Sequence, residues 1–80
     1  NAAETTIVLD PPRQGCGRGV IEKIAQFAPH RLIYVSCNAA TLARDVRTLS
    51  KAMALERLAL FDMFPQTAHF ESVAVFRALP

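Results

Sequence analysis

Eighty residues allow one small domain with a thin core, and a composition that is 51% hydrophobic and 20% charged argues against a disordered segment. The net charge of +2 comes from basic residues spread from Arg13 to Arg77; without a basic stripe it permits a nucleic-acid partner but does not demand one. No apolar run is long enough to cross a bilayer, nothing near Asn1 resembles a signal peptide, and Cys16, Cys37 and the two histidines stand at no zinc-binding spacing, so a reduced, cytoplasmic protein without a metal site is expected.

The chain opens almost directly on a strand and reads as a piece of something longer. Thr5-Thr6-Ile7-Val8-Leu9 is a β-branched apolar run halted by Asp10-Pro11-Pro12. Apolar residues on both faces predict a strand buried in a parallel sheet. Gly15, Gly17 and Gly19 mark a loop in which Cys16 is a bystander. Val20, Ile21, Ile24, Ala25, Phe27 and Ala28 recur at helical spacing until Pro29. Arg31-Leu32-Ile33-Tyr34-Val35-Ser36 is a second buried strand. Asn38 caps the next helix, on which Leu42, Val46, Leu49 and Met53 line one face while Arg44, Asp45 and Arg47 face water. Residues 55–61 form a third strand ending at Asp62, and the loop Met63-Phe64-Pro65-Gln66-Thr67-Ala68 leads to a fourth over residues 69–78.

Alternating strands and helices imply an α/β fold with a mostly parallel sheet. The short loop between the last two strands makes the final one antiparallel. Ligands of open α/β sheets sit outside the carboxyl ends of the parallel strands. Asp10, Cys37 and Asp62 stand at those ends, and the reversed fourth strand brings His69 and Glu71 to the same rim. Polar residues from four separate segments thus converge on one edge, as a site requires.

Each of them has a plainer explanation. A small free cysteine is most often a buried hydrophobe. Cys37, however, lies between a strand and a helix N-terminus, where the macrodipole favours a thiolate nucleophile. Glu71 would be a solvated strand-end residue, but alternation puts it on one face with Val73 and Val75, read here as buried. Apolar neighbours raise a carboxyl pKa, which suits a general base. His69 shares that face and reads first as a structural, hydrogen-bonding histidine. Pro11 and Pro12 stiffen the chain after Asp10, as an ordinary turn would also do, and Arg13 is either solvated or a phosphate contact.

Three stretches together, Asp10-Pro11-Pro12-Arg13-Gln14-Gly15, Tyr34-Val35-Ser36-Cys37-Asn38-Ala39-Ala40-Thr41-Leu42-Ala43-Arg44-Asp45, and Leu58-Ala59-Leu60-Phe61-Asp62-Met63-Phe64-Pro65-Gln66-Thr67 running on to His69 and Glu71, resemble the RNA 5-methyluridine (uracil-5-) methyltransferases. The resemblance spans the whole chain. It implies the second half of a Rossmann-like methyltransferase sheet and S-adenosylmethionine as cofactor. It also implies a uridine of tRNA or rRNA as substrate, reached in a stem by base flipping. It makes Cys37 the nucleophile and Glu71 the base, sets Asp10 at the cofactor, and puts Pro11, Pro12, Arg13, Asn38 and His69 on the substrate side. Ala39 departs from the family pattern, which has proline there, and its loss loosens the turn around Cys37.

Arg13 stands where cytosine-5 RNA methyltransferases carry a cysteine and amine-methylating enzymes an aromatic residue, which argues against both. By the same resemblance the chain is the C-terminal portion of a catalytic domain. The glycine-rich cofactor loop and any N-terminal RNA-binding domain would lie in the parent protein, so the 80 residues alone are expected to be inactive. The competing view is a non-catalytic α/β module that self-associates. In the family's sheet the strand at residues 5–9 would be interior, and here it has an open edge without charge or proline; self-association through that edge is expected.

Overall fold

A computed structural model describes residues 1–61 and 71–80. Among these, a 3-10 turn at Ala2–Glu4 precedes β1 (Thr6–Leu9), α1 (Arg18–Phe27), β2 (Arg31–Ser36), α2 (Ala39–Leu49), β3 (Met53–Phe61) and β4 (Glu71–Ala78). The sheet order is β1-β2-β4-β3. β1 and β2 pair in parallel, while β4 runs against both β2 and β3. The expected α/β half-sheet with one reversed strand is therefore the architecture found. β4 is threaded between β2 and β3, so the only parallel ladder among the described residues is β1–β2.

Both helices lie on one face of this sheet. The core under them consists of Leu32 and Tyr34 of β2, Ala74 and Phe76 of β4, Ile21 and Ile24 of α1, Leu42 and Leu49 of α2, and Met53. Each such Leu, Ile, Met or Phe side chain, removed from water, stabilises the fold by about 1.5–3 kcal/mol. Strand alternation turns Ile33, Val35, Val73 and Val75 to the opposite face, where they stay half-buried.

The helix ends follow from local chemistry. α1 stops at Ala28, whose backbone is left-handed (φ 49°) and whose N–H donates to the Ile24 carbonyl at 2.9 Å. Pro29, buried, cannot extend the ladder. α2 starts at Asn38, which is extended and whose Oδ1 accepts from the N–H groups of Ala40 (3.0 Å) and Thr41 (3.3 Å).

Several expectations are corrected. Met53 belongs to β3, because α2 has already ended at Leu49. β1 begins at Thr6 and β3 at Met53, a residue later and two residues earlier than expected. Asp45 does not face water. It is 2% exposed, because the buried stripe of α2 is Thr41, Leu42, Asp45 and Leu49. The stripe is wider than hydrophobicity alone located it: Val46, partly buried, packs against the core as expected, and polar Thr41 and Asp45 are buried beside it. Val20 and Phe27 of α1 are half-exposed. β4 is described from Glu71; Asp62, the loop at residues 63–68 and His69 lie outside the described residues.

Candidate active site

The rim where β1, β2 and β3 end and β4 begins carries Asp10, Cys37 and Glu71. Ser36 of β2 is directly opposite Ser72 of β4 in the antiparallel ladder. Cys37 and Glu71 are the next residues outward on those two strands. Glu71 lies on the face that the helices leave open, since Ser72 is a buried member of the alternation; Cys37 follows β2 in the turn before α2. Glu71 in turn pairs with Phe61 of β3, which is 50% exposed on that face. A carboxylate and an aromatic ring are thus paired across β4 and β3, and the thiol stands just beyond the end of β2.

Glu71 is half-buried, as are Val73 and Val75. The expectation that these valines lie inside is corrected: the covered face is that of Ser72, Ala74 and Phe76. A period of two separates the faces without saying which of them the helices cover.

Cys37 is exposed, and the turn that presents it is tied down on both sides. The Ser36 hydroxyl donates to the Asn38 carbonyl at 2.9 Å, and the Asn38 N–H donates back to Ser36 Oγ at 3.0 Å. These two bonds bracket Cys37 and turn it outward at the N-terminal end of α2. Asn38 has further duties. Besides capping α2 through Oδ1, it donates from Nδ2 to the Arg13 carbonyl at 3.1 Å. Both ends of its side chain are thus engaged within the chain.

The 10–15 segment lies against the start of α2. Asp10, Pro12 and Arg13 are exposed, while Pro11 and Gly15 are buried. Its turn is closed by the Gly15 N–H donating to the Pro12 carbonyl at 2.7 Å. Thr41 Oγ1 donates to the Arg13 carbonyl at 3.1 Å and Arg44 Nη2 to the Gln14 carbonyl at 3.4 Å. Gly15 has a φ of +90°, and a Cβ there would stand 2.5 Å from Arg44 Nη2 and 2.8 Å from Thr41 Cγ2. Only glycine allows the loop this close an approach.

Beneath the loop is a buried polar network. The Tyr34 hydroxyl donates to Asp45 Oδ2 at 2.5 Å, and Arg44 Nε reaches Asp45 Oδ1 at 3.2 Å. Burial, then the bond to Asp45, pushes the Tyr34 phenol far above its ordinary value. Burial first, and the negative charge of Asp45 second, also push the Cys16 thiol up. Cys16 is thereby a poor source of thiolate at neutral pH, in keeping with its place as a bystander.

Sequence reasoning missed Thr41 and Arg44 as partners of the 10–15 loop, Asp45 as the brace behind Arg44, and Phe61 as the neighbour of Glu71. The spacing of 41, 44 and 45 on one side of a helix was available as a signal, but what they face was not. Two surface clefts, one lined by Ile21, Arg44, Asp45, Arg47 and Thr48 and the other by Arg31, Ile33, Glu56, Arg57 and Val75, include none of Asp10, Cys37 and Glu71.

Comparison with known proteins bears on what this rim does. The family model described as tRNA (Uracil-5-)-methyltransferase matches residues 2–78. The 23S rRNA (uracil(1939)-C(5))-methyltransferase RlmD of Photobacterium profundum is 55% identical over 71 residues, covering 88% of this chain and 15% of its own length. The 23S rRNA (uracil(747)-C(5))-methyltransferase RlmC of Salmonella enteritidis is 47% identical over 73 residues, covering 91% and 19%. Among solved structures, the Pyrococcus abyssi tRNA (uracil-54, C5)-methyltransferase in complex with S-adenosyl-L-homocysteine superimposes with a TM-score of 0.81 at 34% identity, over 95% of this chain and 20% of that one. The chain thus spans 15% to 20% of the length of these relatives.

Proposed function

The chain belongs to the tRNA (uracil-5-)-methyltransferase family, and we propose that it is the C-terminal portion of a catalytic domain that methylates C5 of a uridine in tRNA or rRNA. In this reading the glycine-rich cofactor loop belongs to the rest of a parent protein, as the small fraction of each relative that is matched suggests. The observation that supports the reading is the β2–β4 register, whose last pair, Ser36 and Ser72, stands next to Cys37 and Glu71 in the chain.

C5 of uracil is a weak nucleophile, and the roles of the two residues follow from that. The Cys37 thiolate forms a bond from Sγ to C6 and pushes the C5=C6 electrons onto the C4 oxygen as an enolate, so that C5 becomes nucleophilic. What S-adenosylmethionine supplies when bound is an electrophilic methyl group on a cationic sulfur. The Glu71 carboxylate then takes the proton from C5. The electrons of that C–H bond re-form C5=C6, the Sγ–C6 bond breaks, and Cys37 leaves as thiolate.

The rim suits such a donor. Asp10 is an exposed carboxylate at the carboxyl edge of the parallel β1–β2 pair, where open α/β sheets seat ligands and where a positive sulfonium would find a counter-charge. In support, the Pyrococcus abyssi relative holds S-adenosyl-L-homocysteine. Arg13, exposed beside the rigid Pro11-Pro12 pair, is the proposed phosphate contact on the RNA side. Asn38 serves by holding that loop beside the nucleophile, and His69 is proposed on the substrate side. An enzyme of RNA in this reading works in the cytoplasm, where both thiols stay reduced.

Trapping tests the reading. With transcripts of tRNA and 23S rRNA carrying 5-fluorouridine, the full-length protein should stall as a covalent adduct, because fluorine at C5 cannot leave as a proton does. Cys37→Ser should abolish the adduct and Cys16→Ser should not. Glu71→Gln should accumulate adduct on ordinary RNA. An adduct mapped to Cys16, or a Glu71→Gln variant that turns over at the normal rate, overturns the assignments.

A further inference from the structure

We propose that Thr41 is a positioning residue for this reaction, whose hydroxyl fixes the 10–15 loop relative to the Cys37 thiol. The inference rests on Cys37 being the nucleophile, and it concerns how the chain brings two otherwise separate segments of the rim into one geometry.

The loop cannot define its own shape. Pro11 and Pro12 offer no N–H, and the closing bond is the one from the Gly15 N–H to the Pro12 carbonyl. Its remaining hold comes from α2. The Arg13 carbonyl accepts from both Thr41 Oγ1 and Asn38 Nδ2, each at 3.1 Å, and the Gln14 carbonyl accepts from Arg44 Nη2. Three side chains from the first two turns of one helix thus grip two consecutive loop carbonyls. Asn38 is also the residue next to Cys37, and Ser36 ties its backbone down. The nucleophile turn and the loop bearing Asp10 and Arg13 therefore move as one body.

Thr41 stands at the centre of that grip. It is 9% exposed, its N–H is bonded to the Asn38 cap, and its methyl group closes on Gly15, where a Cβ would come within 2.8 Å. Its neighbour Arg44 is braced from behind, since Nε is held by the buried Asp45, which Tyr34 holds in turn. The hydroxyl donates to a backbone carbonyl of this chain. It acts through the Arg13 carbonyl, and its loss releases the loop by one hydrogen bond while leaving the thiol, the base and the helix cap intact. Misplacement of reacting groups by about 1 Å can cost on the order of a hundredfold in rate.

The test uses the full-length protein. Thr41→Val keeps the branched shape and removes the donor; Thr41→Ser keeps the donor. Three quantities are read. They are the rate of Cys37 adduct formation at saturating 5-fluorouridine RNA, the RNA concentration for half-saturation, and the melting temperature. Expected for Thr41→Val is an adduct rate lowered about tenfold or more, with half-saturation within about twofold of the unaltered protein, and for Thr41→Ser recovery of most of that rate. Adduct formation by Thr41→Val at the unaltered rate overturns the inference alone. So does a loss of melting temperature in both variants that accounts for the lost rate, because the role is then only structural. Absence of any Cys37 adduct in the unaltered protein overturns the reading of Cys37, and this inference with it.

Discussion

Tyr34 carries its hydroxyl into the core to meet a carboxylate that is itself 2% exposed. An aspartate in that position is tolerated because both of its oxygens are bonded, one to the phenol and one to Arg44. Removing the phenol hydroxyl leaves Asp45 half-satisfied, so Tyr34→Phe is expected to destabilise the fold by about 1–3 kcal/mol near neutral pH. The sign of its pH dependence follows from the raised phenol. The folded state keeps a proton that the unfolded chain gives up near its ordinary value of 10.0. Stability from the pair is therefore complete below that value and is lost as the pH rises towards the folded one. Urea titrations from about pH 7 to about pH 11 should show the gap between the unaltered protein and Tyr34→Phe narrowing on the alkaline side. A gap that stays constant would mean that the phenol is not the group that titrates.

At the scale of elements, the start of α2 does the most work per residue. Ala39 is its first residue, with Asn38 extended before it (φ −140°, ψ 107°). That backbone is extended and close to the one a following proline requires. The first helical position needs no N–H, and the cap bonds run to Ala40 and Thr41 rather than to Ala39. Ala39→Pro should consequently stabilise the protein by about 0.4–1 kcal/mol, chiefly by restricting the unfolded chain. Thermal denaturation checks this; a lower melting temperature would show that the Ala39 N–H or its surroundings matter. The turn around Cys37 is already secured by Ser36 and Asn38, so the absent proline leaves it less loose than the sequence suggested. β3 shows another local solution. Its register shifts between Leu55 and Arg57, and Glu56 at that irregularity pairs with Arg77 at 3.4 Å and Arg31 at 3.7 Å. These ion pairs are largely exposed and contribute little to stability, but they put charge on an edge strand, which discourages further pairing.

Among the described residues of the whole molecule, the sheet is covered on one side, by α1 and α2. Its radius of gyration is 12.6 Å, against about 11.6 Å for a compact chain of this length. On the uncovered face Val8 is 67% and Phe61 50% exposed, beside half-buried Ile33, Val35, Val73 and Val75. Among the described residues β1 is bonded to β2 alone, and its other edge presents Ile7, Val8 and Leu9 with neither charge nor proline. The 80-residue chain by itself is therefore expected to dimerise or aggregate with residues 5–9 in or beside the contact. Light scattering across a dilution series tests this. A monomer that persists at high concentration, with rapid amide exchange at residues 5–9, would show that the edge is protected by other means.

The sequence by itself determined the succession of elements, because hydrophobic periods and the stops at Asp10-Pro11-Pro12, Pro29 and Asn38 are local signals. It also located Asp10, Cys37 and Glu71 at strand ends, since strand direction in an alternating α/β chain sends those ends to one rim. What it could not decide was everything set by contacts between distant segments. Which face of β4 is covered depends on where α1 and α2 pack, and so Val73 and Val75 were read on the wrong side. Asp45 was read as solvated because its partner, Tyr34, lies eleven residues earlier on a strand beneath the helix. The insertion of β4 beside β2, which brings Glu71 to the end of the sheet where Cys37 follows β2, and the grip of Asn38, Thr41 and Arg44 on the 10–15 loop arise only when segments some 25–40 residues apart are folded together. Neither leaves a trace in any local pattern, because hydrogen bonds across that span depend on the path of the backbone rather than on the residues between.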